Sequence, residues 1–188
     1  ADFAWVQHMV CSMDEKSGRC AVVLPQGALF HGGKEGAIRK ELLKSDKVEA
    51  VISLASGVFY STGVSACVLF LRNDKPPAHR GRVCIIDGTE IFTAQRAQNM
   101  ITEENAQEML SLYQSYEPVV EKCAIATLDD IEREGYVLSA NNYVERRREE
   151  IEPPAETRKR FYDLLRQTRK SEEKLLELLS KGGYVDGE

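Results

Sequence analysis

Short apolar runs alternate with amphipathic stretches through the first half of the chain. Four runs have the length and continuity of strands that are buried on both faces of a sheet, at 19–25, 48–54, 65–71 and 82–87. Apolar residues recur every three or four positions over 2–13 and 33–44, which predicts helices there. Because a helix joins the first two strands, we expect those strands to be parallel, whereas the loop after the second strand permits an antiparallel pair. The pattern therefore predicts an α/β fold.

The second half of the chain has a different character. Its patterns predict a helix, an extended piece, a short helix, a second extended piece and a long terminal helix, at 102–116, 123–126, 128–134, 136–144 and 155–180. A polar turn interrupts the apolar stripe of the terminal helix, so we expect that helix to pack on the domain, to self-associate or to dock on a partner. We divide the chain into an α/β part, a helical and extended extension, and a C-terminal helix, at 1–92, 93–150 and 151–188.

Composition narrows the class of protein. The chain has 188 residues, of which 43% are hydrophobic and 29% are charged, and its formal net charge is -5. No apolar segment approaches the roughly 18 residues that a membrane helix needs, so we expect no membrane partner. An acidic chain is not a typical stand-alone nucleic-acid binder, although it can be a subunit that shares DNA contacts with a partner. The chain does not begin with Met, so we expect it to be part of a longer protein.

The cysteines favour an intracellular location. All five lie in or near apolar runs, their number is odd, and none forms a C-x-x-C pair. This usage predicts buried, reduced thiols in a cytoplasmic protein rather than a disulfide framework or a zinc site. We therefore expect no metal centre.

A loop punctuated by glycines, VLPQGALFHGGKEGAIRK, occupies residues 23–40. It raises the question of a phosphate-binding loop, because Gly27 and Gly32 have the spacing of a Walker motif. The Lys-Ser/Thr pair that completes that motif does not follow Gly32 directly, and the G-x-G-x-x-G fingerprint is also incomplete. A tight turn is the better local interpretation, since Pro25 ends a strand and a helix begins near Gly33.

Three blocks of sequence point to a family. The chain contains DFAWVQHM at 2–9, GRCAVVLPQGALFHGGKEGAIR at 18–39 and VFYSTGVSACVLFL at 58–71. In this order they resemble the modification (methylation) subunit of type I restriction-modification enzymes, over residues 2–144. Members of that family transfer a methyl group from S-adenosylmethionine to the exocyclic amine of adenine in DNA. The resemblance implies the C-terminal part of a Rossmann-like methyltransferase sheet, followed by a helical C-terminal tail.

Two of the family's motifs are absent from this sequence. It has neither the glycine motif that binds the cofactor nor the Asn-Pro-Pro-aromatic motif, whose amide and backbone carbonyl accept the hydrogens of the adenine amine and orient it. The Pro-Pro pairs at 76–77 and 153–154 lack the preceding Asn or Asp and the following aromatic residue. In the family, both missing motifs precede the segment that begins here. We therefore expect no catalytic residue in this chain, S-adenosylmethionine binding only in a full-length enzyme, and no methylation by the chain alone.

The resemblance also implies a site for the target base. Enzymes that modify a base turn it out of the duplex and hold it by stacking, and the implied stacking residue is Phe59, with Tyr60 as the second choice. A core position for Phe59 is an equally good interpretation. Phe30, His31 and Gly32 follow a strand end, where α/β sheets place ligands, and they either line the base pocket, contact DNA or are simply exposed.

Several other residues have simpler interpretations. Lys34, Arg39 and Lys40 begin a helix, and they either meet phosphates or form its solvated face. Asp74 and Asp87 are interpreted as solvated turn residues rather than catalytic carboxylates. The remaining expectations are a loop-capping role for Ser61 and Thr62, a core position for Trp5, a packed or surface position for His8, and a solvated hinge at Arg146, Arg147 and Arg148.

These features together indicate part of a type I DNA adenine methyltransferase subunit. The resemblance implies three partners: DNA, a specificity subunit on whose long helices the C-terminal helix would pack, and a restriction subunit. The acidic charge fits a subunit that leaves sequence recognition to its partner. The alternative is a non-catalytic assembly module that binds the specificity subunit.

Overall fold

The computed structural model describes residues 2–60, 62–96, 98–147 and 154–184. The chain forms two compact units, 1–147 and 148–188. The described residues of the first unit form α1 (Asp2–Ser12), β1 (Arg19–Pro25), α2 (Gly33–Lys44), β2 (Val48–Leu54), β3 (Ala66–Arg72), β4 (Arg82–Gly88), β5 (Thr93–Ala94), β6 (Asn99–Met100), α3 (Glu103–Ser115), β7 (Cys123–Thr127) and α4 (Leu128–Arg133). Short 3-10 turns occupy Gln26–Leu29, Pro77–His79 and Ala140–Asn142. The second unit contains α5 (Pro154–Lys181).

Five strands form one mixed sheet in the order β1-β3-β2-β4-β7. The β2–β4 pair is parallel, and the pairs β1–β3, β3–β2 and β4–β7 are antiparallel. Because β1 and β2 both run opposite to β3, they point the same way, as predicted from the helix that joins them. The predicted antiparallel pair across the 55–65 loop and the α/β class are likewise confirmed. The carboxyl ends of β1, β2 and β4 therefore meet at one edge of the sheet, which we call the carboxyl edge.

Apolar side chains pack against both faces of the sheet. On one face, α1 and α2 contribute Phe3, Val6 and Leu43 to a buried cluster with the strands. On the other face, Met109 and Leu112 of α3 pack on β2 and β4. Every residue of β2 is buried, as expected of the central strand. Full burial of a large aliphatic side chain contributes roughly 1.5–3 kcal/mol, so these two layers are the main source of stability.

Local sequence signals set the ends of the helices. Thr102 begins α3 through a capping box, in which its side-chain oxygen accepts from the N–H of Asn105 and the Asn105 side chain accepts in return. Thr127 and Asp130 form the same motif at the start of α4. After α5, Gly183 takes the left-handed backbone conformation (φ 69°) that glycine permits without strain.

A buried carboxylate organises the edge opposite the carboxyl edge. Glu49 of β2 is only 2% exposed, and its Oε1 lies 3.2 Å from both Arg72 Nη1 and His79 Nδ1. The hydroxyl of Tyr113 donates to Glu49 Oε2 at 2.9 Å. Burial, and then this hydrogen bond, raise the pKa of Tyr113 to about 12. The Tyr116 ring stacks on His79 at 3.6 Å, so the Glu49 cluster joins α3 to β2, to β3 and to the turn before β4.

Two elements differ from their predictions. Trp5, expected in the core, is 66% exposed, because α1 turns Phe3 and Val6 inward and leaves Trp5 on its solvent side. The segment 136–144, expected to be extended, forms turns that include the 3-10 turn Ala140–Asn142. Gly135 and Tyr136 both have positive φ (63° and 62°), which breaks an extended path at its start.

The cysteines and His8 largely follow their patterns. Cys67, Cys84 and Cys123 are buried free thiols, and the sulfurs of Cys84 and Cys123 lie 3.6 Å apart. Cys20 is half-buried, while Cys11 is exposed, contrary to the expectation of buried thiols. His8 lies on the surface, which was one of its two interpretations.

The second unit consists of one long amphipathic helix. The predicted helix at 155–180 agrees closely with α5. Pro154 lies in the first turn, where proline is favoured. Lys181 lies in the last turn, where a positive charge is favourable to the helix dipole. Its large apolar side chains remain more than a third exposed: Phe161, Tyr162, Leu164, Leu165, Leu175, Leu176 and Leu178.

We expect Glu49→Gln to lower the free energy of unfolding by about 3 kcal/mol, because the amide removes the charge that Arg72 and His79 face in a buried site. Urea denaturation monitored by circular dichroism measures the change. The control is Glu108→Gln, which removes the same charge from the Lys122 pair, where the side chains are 39% and 48% exposed. That change should cost less than about 1 kcal/mol. Equal losses in the two variants would contradict a structural role for the Glu49 cluster.

Candidate nucleic-acid interface

Three connections lie at the carboxyl edge of the sheet. They follow β1, β2 and β4, and they span 26–32, 55–65 and 89–98. In α/β sheets, ligands usually bind outside the carboxyl ends of the strands. The aromatic residues named for the base site, Phe30, Phe59 and Tyr60, belong to the first two connections, so the fold brings them to the edge where a ligand site is expected.

The connection after β1 presents Phe30 and His31 to solvent. The turn Gln26–Leu29 buries Ala28 and Leu29, and the chain then emerges, leaving Phe30 48% exposed. The Phe30 and His31 rings meet edge to face, with 5.1 Å between their centroids. His31 Nδ1 lies 3.6 Å from Glu35 Oε2 on the first turn of α2. Gly32 precedes α2 and is exposed.

Arg39 holds the same connection from inside, which the sequence did not predict. It is 3% exposed, and its Nη1 donates to the carbonyl oxygens of Ala28 and His31, each at 2.9 Å. Its Nε donates to the carbonyl oxygen of Tyr136 at 2.7 Å. Burial lowers the pKa of Arg39, and the nearby Glu35 carboxylate opposes that effect. Arg39 is therefore neither a phosphate contact nor part of a solvated face, and both interpretations were wrong.

The contacts of Arg39 also bear on whether the glycine loop is a tight turn or a phosphate-binding loop. Its three hydrogen bonds go to backbone carbonyls, two of which belong to this connection, so the guanidinium stabilises the turn from within. Gly33 has φ 64°, a left-handed backbone conformation that glycine adopts without strain where the turn leads into α2. The tight-turn interpretation is confirmed. Lys34 is exposed, and Lys40 lies over the Tyr136 ring at 4.7 Å.

The connection after β2 carries Phe59 and Tyr60 beside a surface cleft. Phe59 is 43% exposed and Tyr60 is 83% exposed, so the core interpretation of Phe59 was wrong. The cleft has a volume of about 520 Å³. Its lining also includes Ser56, Gly57, Thr62, Gly63, Gln95, Arg96, Gln98 and Asn99. Thr62 Oγ1 accepts from the N–H of Val64 at 3.1 Å, as expected of a loop-capping residue, whereas Ser61 lies outside the described residues.

The opposite side of this cleft is a small hairpin that the sequence did not predict. Strands β5 and β6 have two residues each, too few to show the alternation that marks a strand. Asn99 of β6 makes two bonds to the connection after β2. Its N–H donates to the Gly57 carbonyl at 3.0 Å, and its side-chain Nδ2 donates to the Ser56 carbonyl at 2.8 Å.

Asp87 and Arg146 form an ion pair at the end of β4. Asp87 Oδ1 accepts from the Thr89 hydroxyl at 2.5 Å, and Oδ2 accepts from Arg146 Nη2 at 2.6 Å. Arg146 Nη2 also donates to Asn141 Oδ1 at 2.9 Å. Asp87 is 4% exposed, so its interpretation as a solvated turn residue was wrong, whereas the Arg146 side chain remains 51% exposed.

The neighbouring charges fit their predictions better. Asp74 is exposed and pairs with Arg80 at 3.0 Å, as a solvated turn residue does. Arg147 is largely exposed, 3.6 Å from Glu121 Oε2. Arg148 lies outside the described residues.

The cleft beside Phe59 lacks one group that usually binds an adenosine cofactor. A carboxylate usually holds the ribose hydroxyls of an adenosine cofactor, and the residues that line the cleft beside Phe59 include no Asp or Glu. No three His, Cys, Asp or Glu side chains in the described ranges are placed to hold a metal ion. The helices described here are also too short or too polar to span a membrane. The cleft instead combines aromatic rings with amide side chains, which suit a nucleobase.

Residues 1–152 match the family model for N-6 DNA methylase, and the chain belongs to that family. A curated relative, the type I restriction enzyme MjaVII methylase subunit of Methanocaldococcus jannaschii, is 32% identical over all of this chain, which covers 32% of the relative. The solved type I restriction-modification methyltransferase subunit from Streptococcus thermophilus has 31% identity and a TM-score of 0.72, over 77% of this chain and 30% of that one. The family resemblance predicted from sequence is confirmed.

A second solved structure shows the same fold over almost the whole chain. It comes from a study of assembly and conformational transition in a type I restriction-modification system, with a TM-score of 0.62 and 21% identity, over 99% of this chain and 40% of that one. This chain spans about a third of the length of two curated relatives, the MjaVII and MjaIX methylase subunits.

We expect Arg39→Lys to lower the free energy of unfolding by about 2 kcal/mol, because one ammonium group cannot replace a fork of donors that reaches carbonyls on different segments. Urea denaturation measures the loss, and hydrogen exchange should show faster exchange over 26–32. Arg133→Lys is the matched control, since the Arg133 side chain is 74% exposed. If both variants lose the same stability, the three hydrogen bonds of Arg39 do not hold this connection.

Proposed function

We propose that this chain is the C-terminal part of the DNA adenine methyltransferase subunit of a cytoplasmic type I restriction-modification system. The complete enzyme would transfer a methyl group from S-adenosylmethionine to the N6 amine of adenine in DNA. This part supplies the surface that holds the target base, while the cofactor and the amine-orienting groups belong to the preceding part. The observation that carries the proposal is the exposed pair Phe59 and Tyr60 beside a cleft at the carboxyl edge.

Stacking gives the exposed rings a chemical role. Turning a base out of the duplex costs a few kcal/mol, and an aromatic side chain returns roughly 1–3 kcal/mol per stacked base. Phe59 is the proposed stacking residue and Tyr60 its alternative. Phe30, His31 and Gly32 lie on the neighbouring connection of the same edge, and we propose that they line the base pocket or contact the DNA backbone.

The open edge of β1 supports a continuation of the sheet. Among the described strands, β1 pairs only with β3, so its other edge is unpaired. The side chain of Val23 in β1 is 54% exposed. Unpaired strand edges attract further strands. We propose that the preceding part of a Rossmann-like methyltransferase sheet pairs there and brings the two motifs that this sequence lacks. We propose a separate role for each of the three parts of the chain. The α/β part (1–92) completes the methyltransferase domain, the extension (93–150) enlarges it, and the C-terminal helix (151–188) binds a partner.

The apolar side of α5 supports assembly with other subunits. A helix with this many exposed leucines is marginal in isolation, and its leucines gain most when they are buried against another helix. We propose that α5 docks on the helices of a specificity subunit, which would read the DNA sequence, and that a restriction subunit joins the same complex. The net charge of -5 suits a subunit that depends on this partner for much of its DNA contact.

In the assembled enzyme, we expect Phe59→Ala to lower the methylation rate by about 10- to 100-fold, which corresponds to the loss of one stacked base. Phe59→Tyr should retain most of the rate because it keeps the ring. Fluorescence of 2-aminopurine placed at the target adenine reports the extruded base. The fluorescence increase that follows enzyme binding should be lost in Phe59→Ala and kept in Phe59→Tyr. Since Phe59 is 43% exposed, unfolding stability should change by less than about 1 kcal/mol. Full activity of Phe59→Ala would exclude stacking by this residue.

Calorimetric titration with S-adenosylmethionine tests the division of the enzyme. We expect no heat of binding with this chain alone and clear binding after the preceding part is added, because the cofactor motif lies outside this sequence. The preceding part alone is the control for a site that needs no contribution from this chain. Binding by this chain alone, or methylation of DNA by it, would overturn the proposed division.

A further inference from the structure

The hairpin β5–β6 holds the backbone that leads to Phe59. Both donors of Asn99, the backbone N–H and the side-chain Nδ2, bind consecutive carbonyls, those of Gly57 and Ser56. We propose that Asn99 is a positioning residue for target-base stacking: its side-chain amide fixes the connection after β2 so that Phe59 and Tyr60 face the cleft. This inference rests on the proposed function.

Two carbonyls fixed in succession constrain the chain strongly. Gly57 has φ 68°, a left-handed conformation, and stands two residues before Phe59. With the peptide groups after Ser56 and Gly57 held by Asn99, few backbone torsions remain free before the Phe59 side chain. Ordering one backbone residue costs roughly 1–2 kcal/mol of conformational entropy. Because the connection is already ordered before DNA binds, this cost does not reduce the binding free energy.

The side-chain bond depends on an amide, whereas the backbone bond does not. Any residue except proline at position 99 would present its N–H to Gly57, but the Ser56 carbonyl needs a side-chain donor of this length. A Cβ at Gly57 would lie 3.8 Å from Asn99 Nδ2, so the amide packs directly against the left-handed turn. Aspartate has the same shape, but its ionised carboxylate has no donor and would repel the Ser56 oxygen.

The hairpin offers a closely matched control. Gln98 precedes Asn99 and lines the same cleft, and its backbone carbonyl accepts from Gln95 within the hairpin. Gln98→Glu therefore adds the same charge beside the cleft as Asn99→Asp, without removing the donor to Ser56. A difference between these variants reports the hydrogen bond and not the added charge.

The first test measures order in this chain by itself. Hydrogen exchange should be faster over the connection 55–65 in Asn99→Asp than in Gln98→Glu, with exchange in β2 and β4 unchanged. Asn99→Ala serves as the second variant, because it removes the donor without adding a charge. Equal exchange in Asn99→Asp, Asn99→Ala and Gln98→Glu would overturn the positioning role.

The second test is a double-mutant cycle in the assembled enzyme. Asn99→Asp and Asn99→Ala should each lower kcat about tenfold and reduce the 2-aminopurine signal, with the affinity for S-adenosylmethionine unchanged. In the Phe59→Ala background, Asn99→Asp should cost less than about twofold, because both changes act through the same ring. Full additivity of the two losses would refute the inference. Normal activity of Phe59→Ala would instead refute the stacking role proposed for Phe59, and the exchange result would still decide whether Asn99 orders the connection.

Discussion

The direction of the central strand β2 determines where every candidate residue lies. All of β2 is buried, with β3 antiparallel on one side and β4 parallel on the other. Since β1 also runs with β2, three strands end at the carboxyl edge, and their connections have no alternative but to lie side by side there. Glu49 fixes the other end of β2 through Arg72, His79 and Tyr113. Reversal or loss of this strand would separate the aromatic connection from the hairpin that holds it.

Charged side chains in this unit bind backbone and other charges in places where the sequence suggested solvent. Arg39 donates to three carbonyls, and Asp87 accepts from Thr89 and Arg146. A buried charge is tolerated only when hydrogen bonds replace its lost hydration, so each of these groups joins segments that are distant along the chain. Arg39 and Tyr136, for example, are 97 positions apart. The connections at the carboxyl edge are consequently held by polar contacts beneath them, while their aromatic side chains remain free on the surface.

The periodicity of apolar residues was sufficient to predict the helices and strands that bury apolar surface. It was insufficient to predict the elements that do not. The strands β1 to β4 and the helices α2, α3 and α5 lie close to their predicted bounds, because each is long enough to show a pattern. The hairpin β5–β6 is too short for one, and the turns of 136–144 follow from the backbone of Gly135 and Tyr136. Phe59 and Tyr60 were singled out by family resemblance, not by pattern. Asn99 had no sequence signal at all, since its importance depends on carbonyls brought to it by the fold.

The arrangement explains how the proposed base-holding surface can be precise while lying on a connection between strands. An exposed aromatic ring on an unrestrained loop would sample many positions, and a displacement of about 1 Å is enough to cost a large factor in rate. Here the loop is held at both ends by β2 and β3, and near its start by the two bonds from Asn99 to Ser56 and Gly57. Under the proposed function, the adenine amine would be oriented by groups that this sequence does not contain, so the Phe59 ring and those groups would have to agree in position. A rigid connection would therefore matter more under the proposed division than in an enzyme whose base-holding and amine-orienting groups share a single loop.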